Sequence, residues 1–172
     1  MPGGQWPRCE ACERDARAAN FKEVAEMELF GFGPHLMIDG YHASSEKLDD
    51  VELIRKVLDE LPVEMEMTKI LPPHVQRYNG TTPEDSGVTG VVIIAESHIA
   101  IHTFPQRGFL SVDVFSCKEF DVQKALNYLI EHFEMGRYDT HFINRGKEFP
   151  KDLTEAERIV SGEREYLEAR IA

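Results

Sequence analysis

Positive charge is scarce in this chain of 172 residues, where 19 Lys and Arg stand against 31 Asp and Glu, a formal net charge of −12. Binding to the phosphate backbone of nucleic acid normally needs a basic surface, so the composition argues against a nucleic-acid partner. It is compatible with a small cationic substrate. No apolar run approaches the roughly 18 residues of a membrane span, and the N-terminus lacks the apolar core of a signal peptide. We therefore expect a cytoplasmic protein with no membrane partner.

Cysteine is also rare, and the chain contains only Cys9, Cys12 and Cys117. Cys9 and Cys12 form a C-x-x-C pair, but a zinc site would need a second pair of ligands at comparable spacing, and none follows. Cys117 ends the apolar stretch FLSVDVFSC. A lone cysteine there is either a small buried side chain or a single reactive thiol.

The distribution of apolar residues divides the chain into three parts. Residues 1–27 are polar and without steady periodicity, and we expect a mobile leader. Residues 28–146 carry the apolar patterns of one domain with a real core. Residues 147–172 are rich in glutamate and arginine, and we expect an acidic C-terminal tail or helix.

Apolar periodicity predicts the elements of the central domain. Helical spacing predicts one helix that begins after Ser44 or Ser45 and is closed by Pro62, and a second over 121–135. Alternating or continuous apolar residues predict strands over 29–43, 63–71, 74–78, 88–96, 98–104, 108–117 and 139–146. The predicted fold class is α+β, with two similar βαβ-type halves forming an antiparallel-rich sheet with helices on one face, an α/β sandwich. Covering the other, apolar face would require a homo-oligomer, and we expect a dimer.

Polar side chains interrupt a buried strand pattern in the sequence AESHIAIHTFP, residues 95–105. A serine hydrolase would place Ser97 in a G-x-S-x-G elbow, which is absent. His98 and His102 would lie about 13 Å apart on a regular strand, too far to share a metal ion, so we predict no metal site.

Self-modification is a third use for these residues. The Ser97 hydroxyl could attack the carbonyl carbon of Glu96, and elimination of the resulting ester would leave a dehydroalanine that hydrolyses to a pyruvoyl group. The elimination needs a base for the serine α-proton, and His102 is the candidate. Strand parity puts Ser97 and His102 on opposite faces, so we expect Ser97 on a bend outside the regular ladder.

The sequences GVTGVVIIAESHIAIHTFP and GFLSVDVFSC strongly resemble the prokaryotic S-adenosylmethionine decarboxylase proenzymes, and the resemblance extends from FGPHLMIDGY to Gly146. It implies cleavage between Glu96 and Ser97 into a β chain, 1–96, and an α chain, 97–172. The α chain would begin with a pyruvoyl group made from Ser97, which forms a Schiff base with the substrate amine. The expected assembly is a homo-oligomer, a dimer of cleaved αβ protomers.

Three further residues take roles from this resemblance. His102 corresponds to the processing base, Cys117 to the proton donor in decarboxylation, and Thr89 to a processing hydroxyl. The resemblance assigns no role to His98, for which we expect a hydrogen-bonded place in the core.

The positions expected to bind the nucleoside depart from the family pattern. Gln106 stands where relatives commonly carry a glutamate associated with the ribose hydroxyls, and Pro83 where they often carry an adenine-stacking aromatic. Tyr78 could supply that aromatic ring from the same loop. Glu84 and Asp85 could instead accept the far end of a small cationic amino acid.

Three hypotheses follow from these matches and departures. The first is decarboxylation of S-adenosylmethionine for spermidine synthesis. The second is the same pyruvoyl chemistry on L-ornithine or L-arginine. The third is an uncleaved, non-enzymatic regulatory relative.

Overall fold

The computed structural model describes residues 33–146, which form six strands and three α-helices. The strands are β1 (Gly33–Tyr41), β2 (His74–Tyr78), β3 (Gly87–Ile94), β4 (Ser97–Phe104), β5 (Phe109–Phe115) and β6 (Arg137–Arg145). The helices are α1 (Ser45–Leu48), α2 (Val51–Glu64) and α3 (Val122–Phe133), and 3₁₀ turns span Pro83–Asp85 and Pro105–Arg107. The predicted leader, its C-x-x-C pair and the acidic tail lie outside the described residues.

The strands form one antiparallel sheet in the order β2-β3-β4-β5-β1-β6. The helices pack on one face, where alternate residues of the central strands are buried with the apolar sides of α2 and α3. The predicted α+β class and antiparallel sheet are therefore confirmed. Each half of the described chain supplies three strands and helical residues, although strands and helix follow one another in a different order in the two halves.

Side-chain caps position the two long helices. The Asp50 carboxylate accepts hydrogen bonds from two backbone N–H groups of the first turn of α2, at 2.9 and 3.0 Å. The Asp121 carboxylate accepts one from Lys124 at 2.9 Å at the start of α3. These bonds satisfy N–H groups that a helix otherwise leaves without partners, and they fix where each apolar side begins.

The strand predicted over 63–71 is wrong. Helix α2 continues through Pro62 to Glu64, because Leu61 and Met65 have the i, i+4 spacing that buries both on the core side. Pro62 removes a single backbone donor near the helix end, which the buried packing offsets. In the remainder of this segment, only Lys69 forms a β-bridge, with Ile94.

The face of the sheet opposite the helices, called here the open face, has no helix on it within residues 33–146. Its central residues are only half-buried and include several large apolar side chains: Met37, Tyr41, Phe104, Phe109 and Phe115. No helix in the described residues is long and apolar enough to cross a membrane.

Candidate active site

Ala95 and Glu96 form a tight turn that joins β3 to β4 at one end of the sheet. Ser97 follows the turn and pairs directly with Ile94. The expectation that Ser97 lies outside the regular ladder is therefore wrong, because the two-residue turn lets pairing begin at Ser97 itself. The ordinary alternation of β4 then buries the Ser97 side chain on the helix-covered face, with 8% of the residue exposed.

The Ser97 hydroxyl and the Cys117 thiol are in contact. Ser97 Oγ lies 2.9 Å from Cys117 Sγ, and the same thiol donates to the Glu96 carbonyl oxygen at 3.3 Å. Cys117 reaches this position because it follows β5, the strand that pairs with β4 on its other side. Three residues matched to the chemistry, Glu96, Ser97 and Cys117, thus meet at one end of the sheet.

This contact suits attack on the peptide bond between Glu96 and Ser97. A hydroxyl next to the bond can act as the nucleophile, and a donor on the carbonyl oxygen stabilises the negative charge that develops there. A thiol is a weaker donor than a backbone amide, so its contribution is smaller than that of a typical oxyanion donor.

Thr89 and His102 meet at the other end of β4. They are direct cross-strand partners, and Thr89 Oγ1 lies 3.2 Å from His102 Nδ1. Both side chains are on the open face, where Ser111 is the neighbour of His102 on β5. The hydroxyl and histidine that the sequence predicts to act in processing therefore form a pair.

Thr103 holds this end of the sheet in place and was missed by sequence reasoning. Its buried hydroxyl accepts a hydrogen bond from the Val88 N–H at 3.0 Å and donates to the Leu48 carbonyl at 2.8 Å. These bonds join β3, β4 and the end of α1 beside the Thr89–His102 pair. The sequence did offer a signal, because Thr103 is a polar residue at a position that the alternation of β4 predicts to be buried.

The two clusters are far apart within one chain. Ser97 and His102 are five residues apart on β4, so at about 3.3 Å per residue their Cα atoms are separated by roughly 16 Å. The predicted opposite orientation of their side chains is present, since Ser97 lies on the buried face and His102 on the open face. No rotation of a side chain closes such a gap within a paired strand.

Gln106 and Pro83 line a cavity of about 710 Å³ near the His102 end of β4. The Asp85 carboxylate is already paired with Arg107 at 2.9 Å, and Arg107 Nε donates to the Glu84 carbonyl oxygen at 3.0 Å. This loop therefore holds its own acidic residue in an ion pair. Tyr78 ends β2 with 59% of the residue exposed, opposite Gly87.

A third cluster, of polar and aromatic residues, surrounds Phe115 on the open face, two residues before Cys117. His35 Nε2 lies 3.1 Å from Asp113 Oδ1, and the Arg145 guanidinium lies 4.2 Å from the Phe115 ring centroid. His98 contacts the same ring edge-on at 5.8 Å. The core position expected for His98 is therefore wrong, because the alternation of β4 turns it to the open face. Among residues 33–146, no group of three or more His, Cys, Asp or Glu side chains could hold a metal ion.

The chain is similar to known proteins in both sequence and structure. The sequence model described as S-adenosylmethionine decarboxylase matches residues 34–146. The S-adenosylmethionine decarboxylase proenzyme of Aquifex aeolicus is 35% identical over 131 residues, which cover 75% of this chain and 93% of that protein. The proenzyme of Archaeoglobus fulgidus is 33% identical over 115 residues, 66% of this chain and 97% of that protein. The crystal structure of the adenosylmethionine decarboxylase from Aquifex aeolicus is similar with a TM-score of 0.58 and 34% identity, covering 67% of this chain and 92% of that one.

Proposed function

The chain belongs to the S-adenosylmethionine decarboxylase family, as its motifs predict, and on that premise we propose a self-processing, pyruvoyl-dependent decarboxylase of polyamine biosynthesis. Its favoured reaction converts S-adenosylmethionine to decarboxylated S-adenosylmethionine and CO₂, supplying spermidine synthesis. The observation that carries the proposal is the contact of Cys117 with both Ser97 Oγ and the Glu96 carbonyl oxygen. The remaining steps are derived from this chain's own residues.

Processing begins with attack of Ser97 Oγ on the Glu96 carbonyl carbon. The new C–O bond replaces the peptide C–N bond, so the backbone becomes an ester with a free amino group on Ser97. A base, His102, removes the Ser97 α-proton, and the main-chain carboxylate of Glu96, formed from the ester, leaves from the Ser97 β-carbon. The resulting dehydroalanine tautomerises to an imine, and water releases ammonia to leave a pyruvoyl group at the start of the 97–172 chain.

The pyruvoyl group supplies an electrophilic carbonyl that binds the substrate amine and withdraws electrons as CO₂ departs. The position of Ser97 fits such a group, because it is enclosed on one side by the sheet and has the Cys117 thiol 2.9 Å from its Oγ. Cys117 is placed to hold a proton beside the carbon that loses CO₂ and to return it. In this proposal the thiol serves first the Glu96 carbonyl and later the substrate.

Two copies of the chain build each site in this proposal. His102 cannot reach Ser97 within its own strand, because roughly 16 Å separates them. A second copy packed on the open face with its strands reversed would bring its Thr89–His102 pair to the Ser97 end of the first, where the imidazole would approach the Ser97 backbone and its α-proton from the side opposite the hydroxyl. The half-buried aromatic residues of the open face would be covered in the same contact, as sheet-on-sheet packing requires.

Two classes of substrate are compatible with the proposed chemistry, S-adenosylmethionine and a small amino acid such as ornithine or arginine. An amide such as Gln106 accepts hydrogen bonds from ribose hydroxyls less strongly than a carboxylate would. This favours a small amino acid, which has no ribose to bind. Asp85 weakens that alternative, since its carboxylate is committed to Arg107. S-adenosylmethionine therefore stays the favoured substrate, with the exposed ring of Tyr78 as its stacking partner.

Two measurements on the purified chain test the proposal. The intact mass should show fragments that end at Glu96 and begin with a pyruvoyl group, and the Ser97→Ala variant should stay uncut. Release of CO₂ should then be measured in parallel from S-adenosylmethionine, ornithine and arginine. A single uncut wild-type chain would favour the non-enzymatic relative, and release from ornithine or arginine alone would overturn the choice of substrate.

A further inference from the structure

The edge of β3 is completed by two different segments of the chain. Strand β2 pairs with β3 from Gly87 to Val91. Beyond that point Thr68–Ile70 takes over, since the Ile70 N–H donates to the Ile93 carbonyl and the Ala95 N–H donates to the Thr68 carbonyl, each at 2.9 Å. Ala95 is the residue before Glu96, so this segment holds the backbone directly before the acyl residue of the bond to be cut.

Lys69 fixes the same segment to helix α2. Its ammonium group donates to the backbone carbonyl of Asp59 at 2.9 Å and forms an ion pair with the Asp59 carboxylate. The Met67 N–H donates to the Pro62 carbonyl at 2.8 Å, so the segment is also tied to the last turn of the helix. A continuous series of contacts therefore runs from α2 through Lys69 to Ala95.

The other side of the cut bond has one support that does not involve Lys69, the contact of Ser97 with Cys117. Ser97 also pairs with Ile94 of β3, which is itself the bridge partner of Lys69, whereas Cys117 lies just after β5. Attack of a hydroxyl on a neighbouring carbonyl depends steeply on how the two groups are held, and a displacement of about 1 Å can cost a hundredfold in rate. Glu96 lies between the two supports, so the support on the acyl side contributes, together with the Cys117 thiol, to the position of its carbonyl carbon.

We infer that Lys69, through the segment Thr68–Ile70, is a positioning residue for self-cleavage between Glu96 and Ser97. The inference rests on the proposed self-processing function. Lys69 touches no reacting atom, so it acts on the first step, formation of the ester, by holding Ala95. After the cut the same contacts keep the end of the 1–96 piece beside β3.

The test compares two lysines that pair with α2. Lys69→Ala removes the tie, and Lys56→Ala is the matched control, because Lys56 makes an exposed pair with Glu60 on the same helix at 3.9 Å. The chains are made by cell-free translation, and the uncut fraction is followed with time on denaturing gels. We expect cleavage of Lys69→Ala to slow by about tenfold and that of Lys56→Ala to match the wild type. Lys69→Arg, which can donate to the same acceptors, should recover most of the rate.

Hydroxylamine shows which step is slowed, because it cuts an ester that has already formed. Slow cleavage of Lys69→Ala that hydroxylamine does not accelerate supports the inference, and acceleration overturns it, since the defect would then lie after ester formation. A Lys69→Ala rate equal to that of Lys56→Ala also overturns it. Should Lys69→Ala fail to fold, Lys69→Met keeps the aliphatic stem and is judged by the same rates. A wild-type chain that never cleaves would refute the proposed function instead.

Discussion

The two ends of β4 carry different halves of one chemistry. At its start, Ser97 contacts Cys117 on the helix-covered side, and at its other end His102 pairs with Thr89 on the open face. Among residues 33–146, the first end has a nucleophile and a donor for the carbonyl oxygen but no base in contact with them, and the second has a base but no peptide bond to be cut. In the proposed two-copy site, each protomer would contribute its Ser97 end to one site and its His102 end to another.

The largest expected effect is the restoration of cleavage when two variants that are inactive alone are expressed together, which tests whether the two ends of β4 act in different copies. Ser97→Ala keeps His102, and His102→Ala keeps Ser97, so neither chain should cleave alone. If the base comes from the second copy, co-expression should cut the His102→Ala chain and leave the Ser97→Ala chain intact. At equal expression about half of the His102→Ala chains should be cut, the share that pairs with the other variant.

A mass tag on one variant identifies which chain is cut, and each variant expressed alone is the control. Absence of any cut chain in the mixture would contradict the two-copy site. Cleavage of His102→Ala on its own would remove His102 from processing altogether.

Cys117→Ala sharpens the description of the Ser97 end. Loss of the thiol removes the donor to the Glu96 carbonyl, and because a thiol is a weak donor we expect cleavage to slow by about tenfold rather than to stop. Decarboxylation by the cut chain should fall much further, since the proton donor is missing. Cleavage half-times and CO₂ release measure the two effects separately, and Cys117→Ser, which keeps a donor, should cleave faster than Cys117→Ala. Equal cleavage by Cys117→Ala and the wild type would show that the thiol contact plays no part in processing.

Thr89→Val tests the His102 end with a smaller change. It removes the hydroxyl that lies 3.2 Å from His102 Nδ1, a hydrogen bond worth about 1 kcal/mol, so cleavage should slow about fivefold. Thr89→Ser keeps the hydroxyl and serves as the control. A Thr89→Ser variant as slow as Thr89→Val would assign the effect to lost methyl packing instead of the hydrogen bond.

Gln106→Glu should have the smallest effect and concerns the substrate alone. A carboxylate at this position would accept ribose hydroxyls more strongly, so KM for S-adenosylmethionine should fall by about threefold with little change in cleavage. Initial rates of CO₂ release measure KM, and Gln106→Ala is the control. A higher KM in Gln106→Glu would indicate that this side chain does not face the nucleoside.

Local patterns predicted most of the fold because one face of each strand is buried. The alternation of HIAIHTF and the apolar run GVVII indicate strands β4 and β3 directly. The same rule failed at residues 63–71, where glutamates alternate with Val63, Met65 and Met67 by coincidence while burial follows helical spacing. Alternation of polar and apolar residues over so few positions is compatible both with a short strand and with the last turn of a helix.

The candidate site was predicted in its members but not in its arrangement. Ser97, Cys117, Thr89 and His102 were named from motifs, whereas their division into two separate pairs depends on strand register, which sequence spacing does not supply. Thr103 and the Lys69 contact were missed for a related reason. Each side chain bonds to a backbone carbonyl outside its own element, and the sequence does not show which carbonyl that is.

The position of β1 has a consequence for the lifetime of the cut protein. β1 belongs to the 1–96 piece, yet in the sheet it lies between β5 and β6, both of the 97–172 piece. Three of the five strand pairs, β3 with β4 and β1 with β5 and with β6, therefore join the two pieces without any covalent link. The chain must reach its topology before the cut, since afterwards β1 would have to find its slot as a separate molecule. In the proposed cleavage, a product that unfolds could not readily refold, so its lifetime would be set by the rate at which the paired strands of the two pieces separate.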